Sequence, residues 1–163
     1  KQIATEFNAP KHEIIPGGKE RFFSVKNGLD SIDDSTKYIA VHDAVRPLVS
    51  EKTLANCFNA LEQHSAVVPV IPINDSIRFV NEEKNESVDR TKFKRIQTPQ
   101  CFHSTILKKA YAAEYNELFT DDASVVESNG HSVFLVEGNL ENIKITSPID
   151  ILVGEALINS LKS

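Results

Sequence analysis

The fold of this chain is decided by residues 38–47, YIAVHDAVRP. The first four residues form an apolar run that is typical of a buried strand, and Asp43 and Arg46 stand just beyond its end. Ligands of open α/β sheets bind beyond the carboxyl ends of the strands. There an Asp can hold a metal ion or a hydroxyl group, and an Arg can bind a phosphate. The alternative is a surface Asp–Arg pair that caps a turn, and spacing alone does not separate the two.

The segments on either side of this stretch repeat the order strand, turn, helix. Ser50 is a favourable N-cap residue for the helix that follows it. The alternation of strands and helices predicts an α/β fold with a mostly parallel sheet and helices on both faces. The predicted elements are a strand at 12–15, a helical pattern from Phe22 to Ile32, a helix over 51–63 and a valine-rich strand at 66–71.

The pattern changes between residues 74 and 94. Short alternating segments flank the polar turn at 81–86, NEEKNE, which predicts a hairpin-like excursion rather than another helix. Such an excursion buries little by itself, so it is either a mobile flap or an arm that grips a partner. We favour an arm that grips a second copy of the chain.

Residues 97–102, QTPQCF, contain a candidate ligand residue. Pro99 favours an extended conformation at Thr98, and this can present the Thr98 hydroxyl to a ligand. The alternative is a purely structural turn that leads into a helix starting near Ser104.

Two more candidates lie towards the C-terminus. Thr120 or Asp121 is expected to cap the helix that begins there, and capping alone would explain that motif. Lys144 lies between two isoleucines in a last predicted strand at 141–146, where it is either a solvated edge charge or a phosphate ligand. The final helix is predicted to begin at Ser147-Pro148 with a capping box.

Composition excludes several classes of function. The chain has 163 residues and a net charge of −5, which argues against a nucleic-acid surface built on bulk electrostatics. Its longest apolar run, 66–73, contains two prolines and is too short to span a bilayer. Cys57 and Cys101 match neither a disulfide framework nor a metal site, which suits a reducing cytoplasm. We therefore expect one domain over residues 1–163, with no nucleic-acid or membrane partner.

Taken in order, six motifs resemble those of one family, the 2-C-methyl-D-erythritol 4-phosphate cytidylyltransferases of the non-mevalonate isoprenoid pathway. The resemblance covers essentially the whole chain. It implies a Rossmann-like nucleotidyltransferase fold, a homodimer, Mg²⁺ or another divalent cation, and condensation of CTP with methylerythritol phosphate. The excursion at 74–94 would be the family's dimer arm. The motifs are Gly17-Gly18 with Arg21 and Ser24, HDAVRP at 42–47, VDR at 88–90, QTPQ at 97–100, TDDAS at 120–124 and NIKIT at 142–146.

The resemblance also implies a role for each matching residue. Lys144 would stabilise the transition state, and Asp43 would contact the substrate and lie at the metal ion. Further nucleotide-binding residues would be Gly17, Gly18, Lys19, Ser24 and Ala44. The polyol phosphate would be bound by Asp43, Arg46, Thr98, Thr120 and Lys144, and by Ser76 and Arg90 from the partner's arm.

The beginning of the chain departs from the family pattern. Residues 1–8 resemble the last turns of a helix and contain no methionine. Family members begin with a strand and a glycine-rich loop that wraps the CTP phosphates, so we expect a preceding region of on the order of 60 residues. Without that loop the fragment alone is expected to be impaired. Lys19 replaces a common acidic residue, and Ser76 replaces a common Thr.

Two other functions remain open at this point. The pentitol phosphate cytidylyltransferases, which make CDP-ribitol, share the fold and several motifs, and the polyol phosphate consumed separates them from the methylerythritol family. The second alternative is a non-catalytic module that binds a nucleotide or a sugar phosphate. The presence of Asp43, Arg90 and Lys144 together argues against a module that has lost catalytic activity.

Overall fold

The structure is a computed structural model that describes Pro10 and residues 12–161. The helical pattern expected over 1–8 lies outside the described residues. Within them, the amphipathic segments form helices close to the predicted positions, and a single 3-10 turn spans Arg90–Lys92. The α-helices are α1 Arg21–Asp30, α2 Glu51–Ala60, α3 Ser104–Ala110, α4 Asp122–Ser128 and α5 Pro148–Leu161.

The strands form one main sheet and one separate hairpin. In the main sheet β6 lies between β1 and β2, while β7 and β5 both pair with β2. The hairpin is made by β3 and β4 alone. The strands are β1 Tyr38–Val41, β2 Ala66–Pro72, β3 Arg78–Val80, β4 Asn85–Ser87, β5 Lys94–Ile96, β6 Gln100–His103 and β7 Phe134–Glu137.

The main sheet is mixed. β7 pairs with β2 in parallel, and β6 is antiparallel to both β1 and β2, so β1, β2 and β7 run in one direction. The shared direction of these three strands agrees with the predicted α/β fold. Most neighbouring strands nonetheless pair antiparallel, because β5 and β6 both run opposite to β2.

Two predicted strands are wrong. Residues 12–15 form no strand in the described chain, and neither do residues 141–146, which begin in a turn. Residues 100–103, for which a structural turn was the alternative to an extended ligand-binding segment, form β6 in the middle of the sheet. Strand β6 is stabilised by pairing with β1, in which Tyr38 faces His103, and local sequence contains no sign of that contact.

Helices cover both faces of the sheet, as predicted. Ala66 and Val67 are consecutive in β2 and therefore point to opposite faces. Ala66 packs in a core with side chains of α1, α3 and α4, including the fully buried Leu107, and with the fully buried Phe102 of β6. Val67 packs with Cys57 and Leu61 on the side of α2. The sheet is thus sandwiched, which leaves its strand ends available for a site.

Helix caps account for several helix starts. The Ser50 side chain accepts a hydrogen bond from the Thr53 amide, as predicted. Asp121 caps α4 in a capping box with Ser124. Asp150 accepts bonds from the Ser147 amide and hydroxyl at the start of α5. Each cap pairs amides that a helix start leaves without intrahelical partners.

Helix α5 buries little of its apolar face. Gly154 is its one buried residue in the described chain. Ile149 and Leu152 are 62% and 61% exposed. The described residues therefore leave an apolar helix face uncovered.

The excursion at 74–94 contains the predicted hairpin. β3 and β4 pair antiparallel from Arg78 opposite Ser87 to Val80 opposite Asn85. All six residues of these strands are exposed, including Phe79 and Val80. The hairpin thus projects away from the core, and its role in dimerisation stays a prediction.

Candidate functional site

A cavity of about 280 Å³ lies beyond the end of β1, where sheets of this class bind ligands. Three cationic and two acidic side chains line it, together with polar groups from the turn before β6 and the start of α4. Its lining residues are Arg21, Asp43, Arg46, Ile96, Gln97, Thr98, Gln100, Thr120, Asp121 and Lys144. The structure thus brings together five predicted residues: Asp43, Arg46, Thr98, Thr120 and Lys144.

Asp43 is the centre of an ionic cluster. Its Oδ2 lies 3.2 Å from Arg46 Nε and 3.2 Å from Lys144 Nζ. Asp43 and Arg46 are largely buried, whereas the Lys144 side chain is 49% exposed. Burial opposes ionisation of Asp43, but the hydrogen bonds from Arg46 and Lys144 outweigh it, so the pKa of this carboxyl lies below its usual range. At neutral pH the cluster is a carboxylate held between two cations.

Thr98 positions Asp43 through its hydroxyl group. The Asp43 amide donates to Thr98 Oγ1 over 2.9 Å, and His42 Nδ1 lies 2.8 Å from the same oxygen. His42 Nε2 lies 3.0 Å from the Arg46 carbonyl oxygen, which can only accept. Nε2 therefore carries the proton, and Nδ1 accepts from the Thr98 hydroxyl. The sequence predicted Thr98 as a ligand residue, and the structure adds a bracing contact to the loop of Asp43.

Asn142 is a site residue that was quoted in a motif but given no role. It is fully buried; its side-chain Nδ2 donates to the Thr98 carbonyl over 2.8 Å, and its backbone carbonyl accepts from Arg46 Nη1 over 2.8 Å. The Gln97 side chain also reaches the Asn142 carbonyl. Asn142 therefore joins the loops of Arg46, Thr98 and Lys144. The sequence signal that could have indicated it is an asparagine two residues before Lys144, within the motif at 142–146.

Arg21 is a second residue for which no role was predicted. It begins α1 and forms a two-pronged ion pair with the fully buried Asp122, at 3.0 and 2.6 Å. The Tyr111 hydroxyl donates to Asp122 over 2.6 Å. Hydrogen bonding to Asp122 raises the pKa of Arg21 above its usual value, so this residue is a fixed cation of the cavity.

Gln100 connects the floor of the cavity to α4. Its amide nitrogen donates to Asp121 over 2.8 Å, and its amide oxygen accepts from the Ala123 amide over 2.8 Å. Gln100 is 1% exposed. The start of α4, which carries Thr120 into the cavity, is thereby fixed to β6.

The predicted nucleotide-binding residues before and in α1 lie outside the cavity lining. The Gly18 amide donates to Ser24 Oγ over 2.9 Å, which closes the turn before α1. A Cβ at Gly18 would lie 2.2 Å from the Phe23 Cβ, so this turn requires glycine. Gly17 and Lys19 are exposed beside it, as is Ala44 next to Asp43.

Ser76 and Arg90 also lie outside the cavity of their own chain. Both are exposed, and Arg90 donates to the Asn74 carbonyl at the base of the hairpin. Their predicted role depends on a second chain, so it stays a prediction.

A second cavity, of about 550 Å³, adjoins the first. The two share Arg46, Ile96, Gln97 and Lys144, and Arg95 adds a further cation to the second. Lys144 therefore lines both cavities.

A third cavity, of about 530 Å³, lies away from these charges, between the end of α1 and α3. Its lysines are already engaged: Lys26 donates to the Tyr111 carbonyl, and Lys108 donates to the Ile32 carbonyl and pairs with Asp34. This cavity therefore offers no free cation to a ligand within the described chain.

The described residues contain no group of three or more His, Cys, Asp or Glu side chains placed to hold a metal ion. Mg²⁺, however, commonly binds through one or two carboxylates plus substrate phosphates. Asp43 uses Oδ2 for its ion pairs, and its Oδ1 has no partner among the described residues. One carboxylate oxygen facing a cationic cavity fits such a substrate-borne ion.

The comparisons with known proteins identify the family. Residues 1–160 match the family model of 2-C-methyl-D-erythritol 4-phosphate cytidylyltransferase. This chain belongs to that family. The protein of that name from Bacteroides thetaiotaomicron is 45% identical, over 97% of this chain and 72% of its own length. The one from Bacteroides fragilis is 48% identical, over 91% of this chain and 67% of its own length.

Solved structures of the family agree in fold. The enzyme from Thermus thermophilus superposes with a TM-score of 0.78 at 34% identity, over 92% of this chain and 76% of its own. The 4-diphosphocytidyl-2C-methyl-D-erythritol synthase from Anaerococcus prevotii gives a TM-score of 0.86 at 27% identity, over 97% of this chain and 73% of its own. The predicted nucleotidyltransferase fold is thereby confirmed.

None of the helices in the described part of the chain is both long and apolar enough to cross a membrane. Cys57 and Cys101 are both buried and carry free thiols.

Proposed function

We propose that this protein transfers the cytidylyl group of CTP to 2-C-methyl-D-erythritol 4-phosphate, giving CDP-methylerythritol and pyrophosphate for isoprenoid precursor synthesis. The observation that carries the proposal is the Asp43–Arg46–Lys144 cluster in a strand-end cavity of a chain that belongs to this family. Relatives at 45–48% identity bear the name of this activity. The ribitol phosphate alternative and the non-catalytic alternative are not favoured by these matches.

The reaction needs positioning and charge stabilisation more than a nucleophilic side chain. A phosphate oxygen of methylerythritol phosphate bonds to the α-phosphorus of CTP, and the bond to the bridging oxygen breaks as pyrophosphate leaves with the electron pair. Negative charge accumulates at the α-phosphate, where fixed cations act most strongly. Lys144 is half-exposed and thus available to that phosphate, while its ammonium group pairs with Asp43, which Arg46 also binds.

A Mg²⁺ ion is proposed as the cofactor, held by Asp43 and the CTP phosphates. When bound, it neutralises phosphate charge and lowers the electrostatic barrier to attack. The free Oδ1 of Asp43 and the lack of a dedicated cluster of protein ligands in the described chain support a substrate-borne ion rather than a resident one.

The two substrates are proposed to approach Lys144 from different sides. The nucleotide contacts the Gly17–Gly18 turn, Lys19, Ser24 and the backbone of Ala44. The polyol phosphate occupies the cavity with Asp43, Arg46, Thr98 and Thr120. What supports the position of the polyol phosphate is the cavity that these four residues line together with Lys144; the position of the nucleotide rests on the resemblance of the motif at 17–24.

A homodimer is proposed in which the arm at 74–94 of one chain reaches the site of its partner and supplies Ser76 and Arg90. Exposed Phe79, Val80 and Phe93 on and beside the hairpin support an apolar contact of this kind. A cytoplasmic location is proposed as well, supported by the two free, buried thiols.

The function is tested by pyrophosphate release from the natural protein that contains this chain, with CTP, Mg²⁺ and either methylerythritol phosphate or ribitol 5-phosphate. Release with methylerythritol phosphate is expected. Release with ribitol 5-phosphate alone would reassign the substrate, and no release with either would reject the enzymatic function.

Lys144→Ala tests the proposed catalytic cation. The variant is expected to lose on the order of 100-fold or more in kcat, because one preorganised charge at the developing oxyanion is removed. Lys52→Ala is the matched control. The Lys52 side chain is 78% exposed and pairs with Glu137, and neither residue lines the cavity. Turnover of Lys144→Ala within a few-fold of the control contradicts the assignment.

Arg90→Ala tests the arm. If the arm acts in trans, a mixed dimer of one Arg90→Ala chain and one Lys144→Ala chain recovers activity. The site of the Arg90→Ala chain then has its own intact Lys144 and receives an intact Arg90 from the arm of the partner. Recovery is measured as pyrophosphate release after the two inactive variants are mixed and exchanged. No recovery, or a monomer in analytical ultracentrifugation, contradicts the proposed dimer.

A further inference from the structure

The strongest unassigned feature of the site is the side chain of Arg21. It lines the same cavity as Asp43 and Lys144 and is 41% exposed, whereas its partner Asp122 is 0% exposed. Arg21 and Asp122 are 101 residues apart in sequence, so their pairing brings the start of α1 to the start of α4.

The surroundings of Asp122 show that the pair is built to hold Arg21 in one orientation. Both carboxylate oxygens are occupied by the guanidinium, and Oδ1 also accepts the Tyr111 hydroxyl. A buried carboxylate is stable only when it is paired and hydrogen-bonded in this way. Two contacts to one planar group also fix its orientation.

The guanidinium retains donors for a ligand. It has five N–H groups, and two of them bind Asp122. The remaining three have no partner among the described residues. Because Arg21 lines the cavity, these donors are available to oxygen atoms of whatever occupies it.

The location of Arg21 favours one of the two substrates. Its anchor Asp122 lies two residues after Thr120, and Thr120 lines the same cavity. Gln100 fixes this part of α4 to β6 beside Thr98. The cavity that Arg21 faces is therefore the one with the hydroxyl-bearing and cationic residues suited to a polyol phosphate.

We propose that Arg21 is a substrate-binding residue that donates hydrogen bonds to hydroxyl or phosphate oxygens of the polyol phosphate, with Asp122 as the residue that positions it. This inference rests on the proposed function. It predicts that changing Arg21 weakens the binding of the polyol phosphate and not the binding of CTP.

The central variant is Arg21→Lys. A lysine can still pair with Asp122 as a point charge, so the buried carboxylate keeps a cation, but the planar fork and its outward donors are lost. The KM for methylerythritol phosphate is expected to rise 10-fold or more at saturating CTP, while the KM for CTP changes less than 3-fold.

Tyr111→Phe is the matched control. It removes a hydrogen bond from the same buried carboxylate but leaves the Arg21 side chain and the cavity lining intact. It is expected to lower the melting temperature and to leave both KM values within 2-fold of the parent. An equal rise in the polyol phosphate KM for both variants shows that Arg21 only supports the fold, and this overturns the proposal.

A binding measurement separates this inference from the proposed function. Methylerythritol phosphate is titrated calorimetrically into parent and Arg21→Lys protein saturated with Mg²⁺ and an α,β-methylene analogue of CTP. Binding to the parent with at least 10-fold weaker binding to Arg21→Lys supports the inference, and equal binding overturns it. Absence of binding to the parent rejects the proposed function, and with it the inference.

Discussion

Replacing Thr98 by Val tests how the cavity keeps Asp43 in place. The substitution keeps the branched shape of a 5% exposed side chain and removes only the hydroxyl. Two contacts are lost: the one accepted from the Asp43 amide at 2.9 Å and the one donated to His42 at 2.8 Å. The effect therefore measures the hydroxyl and not the packing.

The size of the loss follows from these two bonds. At about 0.5–1.5 kcal/mol of net stability each, they contribute about 2 kcal/mol together. For a domain of this size that corresponds to a fall of about 4–8 °C in melting temperature. Because Asp43 loses its backbone anchor beside Lys144, kcat is expected to fall about 10- to 100-fold.

Urea unfolding and pyrophosphate release measure the two effects. Thr98→Ser is the control, since it restores the hydroxyl, and it is expected to recover most of the stability and most of kcat. If Thr98→Val unfolds at the same urea concentration as the parent, or if Thr98→Ser is equally damaged, the bracing role of the hydroxyl is refuted. A rise in the KM for methylerythritol phosphate alone, with stability unchanged, indicates a direct ligand instead.

Two further predictions concern stability. Gly18→Ala is expected to lower the free energy of unfolding by about 1–3 kcal/mol, because the new Cβ meets the Phe23 side chain and backbone at 2.2–2.8 Å. Gly28→Ala, with open space around it, is expected to raise that free energy by about 0.5–1 kcal/mol. Equal urea midpoints for the two variants would contradict both expectations. Burial first, and then the charge of Asp122, raises the pKa of Tyr111 above its ordinary value of 10, so the neutral phenol stabilises the fold below pH 10 and this contribution declines above it, by up to about 1.4 kcal/mol per pH unit. Unfolding from pH 9 to 11 should show this decline in the parent and not in Tyr111→Phe.

The helices and their starts could be predicted because their signals are local. Ser50 and Asp121 accept hydrogen bonds from amides three residues further along the chain, so these caps can be predicted from short stretches of sequence. The valine-rich strand at 66–71 was also predictable, since a buried central strand is apolar along its whole length.

The errors arose where contacts are distant. The segment at 141–146 alternates polar and apolar residues like a strand. It is held instead by the Asn142 side chain, which donates to the Thr98 carbonyl, and by the Arg46 side chain, which donates to the Asn142 backbone carbonyl. Strand β6 was not predicted, because it follows a Thr-Pro turn signal. It forms by pairing antiparallel with Tyr38–Val41. Local composition contains no information on either partner.

The sequence by itself determined the class of fold, the family, and most of the charged residues that the cavity contains, because apolar periodicity, capping and motifs are local properties of the chain. Only the tertiary structure decided which of these charges meet. Lys144 reaches Asp43, and Arg21 reaches the buried Asp122, across about a hundred residues of intervening chain. The physical reason is that a buried carboxylate must find its cation wherever the packed elements place one, and that placement depends on how the sheet and helices assemble as a whole.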